Sequence, residues 1–277
     1  MTANELFHAG DVSTAITQVG REVADSPLDY RKRTFLFELL CFAGDLDRAA
    51  KQLDVLGEES PDRSLAAQSY RNLIVGEQRR RLLFSEGRVP GLPNHIPPYT
   101  NLHIEAVNRI REGHYDEARR LLEDAESSRP AIGGTLNGER FEDLKDADDV
   151  LGPFLEVMVA DNYSWLPWET VRSVTIPPPR YVRDLVWAPA HIELNFGPLG
   201  DVFLPVLYAD SYRHPDARVK LGRMTDWREN VNGLALASGQ KLLSDGARDW
   251  PILEIRQLEF QHPSEGGADG GNTGTSN

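Results

Sequence analysis

Three times in this 277-residue chain a glycine is followed five residues later by an alanine and, twelve residues after that, by a proline. The triplets are Gly10–Ala15–Pro27, Gly44–Ala49–Pro61 and Gly113–Ala118–Pro130. The first two lie 34 residues apart, the period of a tetratricopeptide (TPR) repeat. Each residue has a physical task at that spacing. The glycine ends one helix and lets the chain turn. The alanine allows two helices of a hairpin to approach closely. The proline cannot continue the second helix and opens the next unit. Arrays of this kind are mostly binding scaffolds, so the pattern directs attention to a protein partner.

The helical reading extends from residue 1 to about 130. Leu46, Ala49, Ala50, Leu53 and Leu56 fall on one helical face, as do Tyr115, Ala118, Leu121, Leu122 and Ala125. Phe35, Leu36, Leu39, Leu40 and Phe42 form an apolar stripe ahead of Gly44. Residues 62–86 read as one long helix with Leu65, Tyr70, Leu73 and Ile74 as its apolar members. A proline-rich loop from Val89 to Pro98 follows, and regular helix is forbidden there. Gly44 and Gly113 are 69 residues apart, about two periods, but the unit between them lacks the turn signature.

Beyond Pro130 the pattern changes. Glu139 to Asp149 holds six acidic and two basic residues and reads as a solvated linker. From Leu151 onward β-branched and aromatic residues, prolines and glycines alternate in short segments. Phe154–Val159, Val171–Ile176, His191–Phe196, Val202–Tyr208 and Ile252–Phe260 are strand candidates, with a turn over Asn195–Gly200. The expected fold class is α+β and multidomain. A TPR-like helical array spans 1–132 and an acidic linker 133–150. A mainly-β, tryptophan-rich domain spans 151–260, and a disordered tail 261–277.

The net charge of −13 opposes nucleic-acid binding, which needs a basic face. Two basic runs, Arg31-Lys32-Arg33 and Arg79-Arg80-Arg81, stand beside acidic residues and read as solvated helix faces. Cys41 is the one cysteine, so no internal disulfide forms. Met1 to Gly10 lacks the cationic start and apolar stretch of a signal peptide. No run of about 18 apolar residues suggests a membrane helix. A cytoplasmic location, without membrane or nucleic-acid partners, is expected.

Catalytic constellations are missing. H-E-x-x-H, paired C-x-x-C, G-x-S-x-G and G-x-x-x-x-G-K do not occur, and the histidines lack metal-ligand spacing. Cys41 lies in the apolar stripe and reads as a buried thiol. The aspartates between Glu142 and Asp149 lack the central glycine and bidentate glutamate of a calcium loop. No catalytic, cofactor or metal residues are therefore expected.

All five tryptophans follow residue 160, in dense segments. Asn162 to Trp168 holds Tyr163, Trp165 and Trp168. Arg183, Asp184 and Trp187 form a second group, and Arg223, Asp226 and Trp227 a third. Two readings of these nine candidate residues stay open. They are core rings with Arg–Asp pairs at strand ends, or a partner-binding surface, since Trp, Tyr and Arg dominate hot spots.

The same segments carry a resemblance. Tyr163-Ser164-Trp165-Leu166-Pro167-Trp168-Glu169, Pro178-Pro179-Arg180-Tyr181-Val182-Arg183-Asp184-Leu185-Val186-Trp187 and Leu221-Gly222-Arg223-Met224-Thr225-Asp226-Trp227 resemble the ImpE family, also called TagJ or SciE-type. Leu6 to Asp11 and Asp148 to Glu156 fit as well, and the likeness covers nearly all of residues 1–260. It implies a non-enzymatic, cytoplasmic adaptor of the bacterial type VI secretion system. That adaptor would bind the N-terminal helix of the small contractile-sheath subunit and thereby link sheath to its AAA+ disassembly ATPase. Trp165, Trp168 and Arg223 are expected to matter for that role. A general TPR scaffold or co-chaperone outside secretion is the alternative, followed by an enzyme with a site in the β domain.

Overall fold

A computed structural model describes residues 1–58, 60–228 and 230–261. Beyond Gln261 the expected disordered tail lies outside the described residues. The chain begins with consecutive helices α1 (Ala3–Ala9), α2 (Val12–Asp25), α3 (Tyr30–Phe42), α4 (Leu46–Leu56), α5 (Pro61–Glu86), α6 (Tyr99–Arg111) and α7 (Tyr115–Ser128). Their starts follow from polar caps. Thr2 and Glu5 form a capping box at α1, and Asp11, Asp29, Asp45 and Ser60 accept backbone N–H bonds opening α2 to α5. Their stops follow from the repeated triplet. Gly10, Gly44 and Gly113 have φ of +90°, +72° and +81°, a region glycine enters without a Cβ penalty. Ala15, Ala49 and Ala118 are wholly buried on the second helix of the contacting pairs α1–α2, α3–α4 and α6–α7. Pro61 occupies the first turn of α5, where its missing N–H costs nothing.

α5 covers the long helix expected over 62–86, with one difference. Leu65 is 73% exposed. Ala67, Leu73, Ile74 and Leu83 carry the buried side instead, because helical phase turns Leu65 away from them.

The remainder is β-rich: β1 (Gly134–Leu136), β2 (Glu139–Phe141), β3 (Lys145–Asp146), β4 (Phe154–Val159), β5 (Asn162–Pro167), β6 (Val171–Thr175), β7 (Trp187–Leu194), β8 (Gly197–Pro205), then the single turn α8 (Ala217–Lys220), β9 (Thr225–Trp227), β10 (Ala237–Gly239), β11 (Leu242–Ser244), β12 (Asp249–Pro251) and β13 (Gln257–Phe260). Eight of these strands form one sheet in the order β2-β1-β13-β6-β7-β8-β4-β5. Its pairings are antiparallel. β7 and β8 meet in a hairpin that turns at Asn195–Phe196, tighter than the turn expected over Asn195–Gly200, because Gly197 to Gly200 already pair as strand β8. Pairing with β1 places β13 inside the sheet, so the C-terminal strand closes onto the first β-segment of the chain.

The stretch 133–150 is not a solvated linker. β1 and β2 sit at one end of the sheet, β3 pairs with β11, and Asp146 and Asp148 are buried. Their burial is compensated. Asp146 meets Lys241 Nζ at 2.8 Å, and the Asp148 carboxylate accepts from the N–H groups of Val150 at 2.9 Å and Ala237 at 2.8 Å. Charge counting cannot see Lys241 and Ala237, because they arrive from 95 and 89 positions away.

A single hydrophobic cluster joins helices and sheet, running from Ala3 to Phe260. The helical and β-rich regions therefore share one core.

Candidate functional site

The seam between the two regions is charged and buried. Arg80, on α5, is 2% exposed. Its guanidinium donates to both Glu156 carboxylate oxygens, at 2.7 and 2.9 Å, and to the Leu207 carbonyl at 2.9 Å. Lys241 adds a second cation, 2.6 Å from Glu156 and 2.8 Å from Asp146. Tyr163 Oη donates to Glu156, and the Trp165 indole N–H donates to Tyr163, each at 2.5 Å. Burial pushes the Glu156 carboxyl up, but Arg80 and Lys241 outweigh it and hold the group at about 2. Arg80 thus departs from the solvated-face reading of Arg79-Arg80-Arg81: helical phase aims the middle residue into the protein. Arg79 stays exposed and bonds Asp161 and Asn162. Arg81 reaches the Gly44 carbonyl at 2.9 Å and lies over the Tyr212 ring.

The aromatic candidates are mostly interior. Tyr163, Trp165, Trp168 and Trp187 are each at most 3% exposed. Trp165 stacks on Phe154 with centroids 4.8 Å apart, and the Trp168 indole N–H donates to the Gly152 carbonyl at 3.1 Å. These rings hold the sheet region together and face no solvent. Trp227 alone among the candidate tryptophans is on the surface, 40% exposed on β9.

The expected Arg–Asp pairs are replaced by other partners. Arg223 donates to the carbonyls of His8 at 2.6 Å and Phe7 at 3.1 Å, at the C-terminal end of α1. A cation there satisfies free carbonyls and complements the helix dipole. Asp226 meets His214 at 3.1 Å. Asp184 accepts from the N–H groups of Arg180 and Tyr181, at 2.8 and 3.0 Å. Arg183 crosses to the helical region, donating to Glu38 at 2.8 Å and the Tyr70 hydroxyl at 2.7 Å. Burial pushes the Glu38 carboxyl up, more than Arg183 brings it down. Arg183 and Arg223 are therefore cross-braces between the helical and β-rich regions. The sequence marked both residues but could not show whom they reach.

Arg183 also borders an open groove of about 540 Å³. Apolar Leu53, Leu56 and Ala67, with Tyr70, come from α4 and α5, and Phe35 from α3. Arg180, Tyr181 and Val182 close one side. Tyr181 is 56% exposed and lies 4.0 Å beneath the Arg183 guanidinium. The Asp184 bonds fix this segment, so one family-like motif, Pro178 to Trp187, builds a groove wall. The signal that could have found the groove was the run Arg180-Tyr181-Val182-Arg183, in which two cations flank two hydrophobic residues.

Chemistry elsewhere is spoken for. Cys41 is buried, and that burial pushes its thiol well up. His103 Nδ1 lies 2.8 Å from the Val150 carbonyl oxygen, which only accepts, so Nδ1 carries the proton and donates it. Burial holds His103 down at about 4. Among the described residues no cluster of three or more His, Cys, Asp or Glu could hold a metal ion. No helix among them is long and apolar enough to cross a membrane.

Known proteins resemble this chain over most of its length. The family pattern described as "ImpE protein" matches residues 138–259. A protein of Pseudomonas aeruginosa strain PAO1, the "Type VI secretion system accessory component TagJ", is 34% identical over 261 residues, covering 94% of this chain and 92% of its own. The crystal structure of protein VPA1032 from Vibrio parahaemolyticus superposes with a TM-score of 0.86 over 95% of this chain and 98% of its own, at 24% identity. That likeness concerns the fold.

Proposed function

We propose, from the fact that this chain belongs to the ImpE family, that it is an accessory component of a type VI secretion system. The observation that carries the reading is the near-complete, mutual coverage of the Pseudomonas accessory component at 34% identity. A shared domain alone would leave part of one chain unmatched. In the finer reading the chain is a non-enzymatic adaptor. Its helices α1–α7 act as a TPR-like array that takes the N-terminal helix of the small sheath subunit, and sheath is thereby linked to the AAA+ ATPase that disassembles it. The β-rich region serves as the platform that fixes the array, through Arg80, Arg183 and Arg223.

Two features support an adaptor over an enzyme. The seam carboxylates and cations are consumed by one another in a sealed interior, out of reach of a substrate. The open concave surface is apolar with a charged rim, which suits an amphipathic helix laid into a groove.

The test is binding of the full chain to the purified small sheath subunit, with and without that subunit's N-terminal helix. Micromolar or tighter affinity that disappears on removing the helix is expected. No binding to the subunit or to intact sheath at that concentration overturns the adaptor reading.

A further inference from the structure

We propose that the groove between α3, α4, α5 and the segment Arg180–Arg183 selects a helical segment whose apolar stripe is flanked by carboxylates. The inference rests on the adaptor reading for the partner's source, and deepens it by naming where the partner sits and what chemistry recognises it.

Charge complementarity is the first argument. The chain as a whole carries −13. Among the described residues the groove lining holds four arginines, Arg31, Arg63, Arg180 and Arg183, against one carboxylate, Glu38. The local balance is +3, opposite in sign to the molecule around it. Glu38 is also buried and engaged by Arg183, so it contributes little negative field to an occupant. The negative surface of the molecule repels other copies of the same chain, while the positive site draws an acidic segment to one place.

Availability is the second argument. Arg183 is committed to Glu38 and Tyr70. Arg31 and Arg180 are exposed at the rim, and among the described residues their guanidinium groups have no hydrogen-bonding or ion-pairing partner. Each has five donors in a planar fork suited to carboxylate.

The shape of the lining is the third. Cations on α3 and on the Arg180–Arg183 segment stand on different elements around an apolar floor from α4 and α5. An occupant must therefore present apolar groups inward and negative groups on its flanks. A helix does this when acidic residues border the i, i+3, i+4, i+7 stripe. The volume lies within the roughly 300–1,000 Å³ span of binding clefts.

The test uses two synthetic helical peptides with one leucine stripe, flanked in one by glutamates and in the other by lysines, titrated into the full chain. The small sheath subunit is titrated in parallel. Wild-type protein should bind the glutamate-flanked peptide at least tenfold more tightly, and the Arg31→Glu/Arg180→Glu variant should abolish or reverse that preference. The control Arg120→Glu/Arg172→Glu makes the same charge change at exposed positions outside the groove and should shift affinity less than twofold. Thermal melts of both variants should match wild type, since all four side chains are exposed. Equal binding of the two peptides, or an unchanged preference in the groove variant, overturns the inference. If the peptides are discriminated and the sheath subunit is not bound, the groove chemistry stands and the adaptor reading falls. If the subunit binds wild type and the groove variant alike, the reverse holds.

Discussion

Two arginine-rich triplets, Arg31-Lys32-Arg33 and Arg79-Arg80-Arg81, have nearly the same composition and opposite surroundings. The first borders an open groove, with Arg31 in water. The second straddles the seam, where Arg80 is locked between Glu156, Glu77 and the Leu207 carbonyl. Local sequence is equally charged in both. The difference is made by what arrives from far along the chain: Glu156 lies 76 residues from Arg80. One face of the helical region is thus committed to the fold, and the other carries an open groove.

The largest expected contrast comes from shortening each side. Arg80→Met leaves Glu156 and Glu77 buried with one cation fewer and should cost about 3–5 kcal/mol. Arg31→Met should stay within about 0.5 kcal/mol, as surface changes do. Urea denaturation of both variants measures this, and equal midpoints would erase the distinction between committed and open faces.

Acid should act on the seam through groups that oppose one another. The folded pKa of His103, about 4, lies below its ordinary 6.5. A neutral, buried imidazole therefore contributes stability that is present above pH 6.5 and lost as pH falls toward 4, up to about 3 kcal/mol. Glu156, at about 2 in the fold, adds a loss that begins below its ordinary 4.5. Asp148, held at about 7 by burial and the neighbouring Asp146, works the other way: its contribution is complete below about 3.8 and fades as pH rises to 7. The His103 share is isolated by subtracting the stability curve of His103→Gln from that of wild type. The difference should grow with pH between 4 and 6.5, and a flat difference would show that His103 does not report on the seam.

Glycines of one repeated signature should also separate by face. A Cβ on Gly44 would run into the Tyr212 ring, over which Arg81 lies, whereas a Cβ on Gly113 would meet nothing within 4 Å. Gly113→Ala should cost about 1 kcal/mol, from the left-handed backbone alone. Gly44→Ala should cost a further 1–3 kcal/mol from overpacking. Differential scanning calorimetry resolves the pair, and equal melting temperatures would mean that the Gly44 turn does not bear on the β-rich region.

The smallest effect belongs to the open side. Leu65→Ser, on the exposed flank of α5, should change stability by less than about 0.5 kcal/mol. A larger loss in the same calorimetric series would place Leu65 in an interface hidden in the monomer.

Much of the helical region was legible because its determinants are local. A capping aspartate, a left-handed glycine and a small alanine act within one turn or one hairpin, so Gly44, Asp45 and Ala49 could be read directly. The β-rich region was legible only in outline. The pairings of β1 with β13 and of β3 with β11 are distant in sequence, and the local β1–β2 hairpin at Asn137-Gly138 read as a break because its strands are only three residues each; Asn162–Pro167 looked like an aromatic cluster before it was seen to be a strand. At the candidate site, the sequence flagged Arg183, Asp184 and Arg223, noted Arg31 only as part of a solvated basic run, and did not mark Glu38. Whether a tryptophan near Arg and Asp is core or surface depends on which sheet face it occupies. Three of the four tryptophans singled out proved interior and one, Trp227, exposed.

One element touches both faces. α5 carries Ala66 and Tyr70 at the groove and Arg80 at the seam, within a single helix of 26 residues, about 39 Å long at 1.5 Å per residue. It behaves as a beam clamped at its inner end by ion pairs that cannot be exchanged for water. The groove wall built on its outer part cannot drift without loading that clamp. A helix of the kind proposed for the groove would consequently meet a cleft whose width is set before it arrives, with the entropy of ordering the cleft already spent in folding.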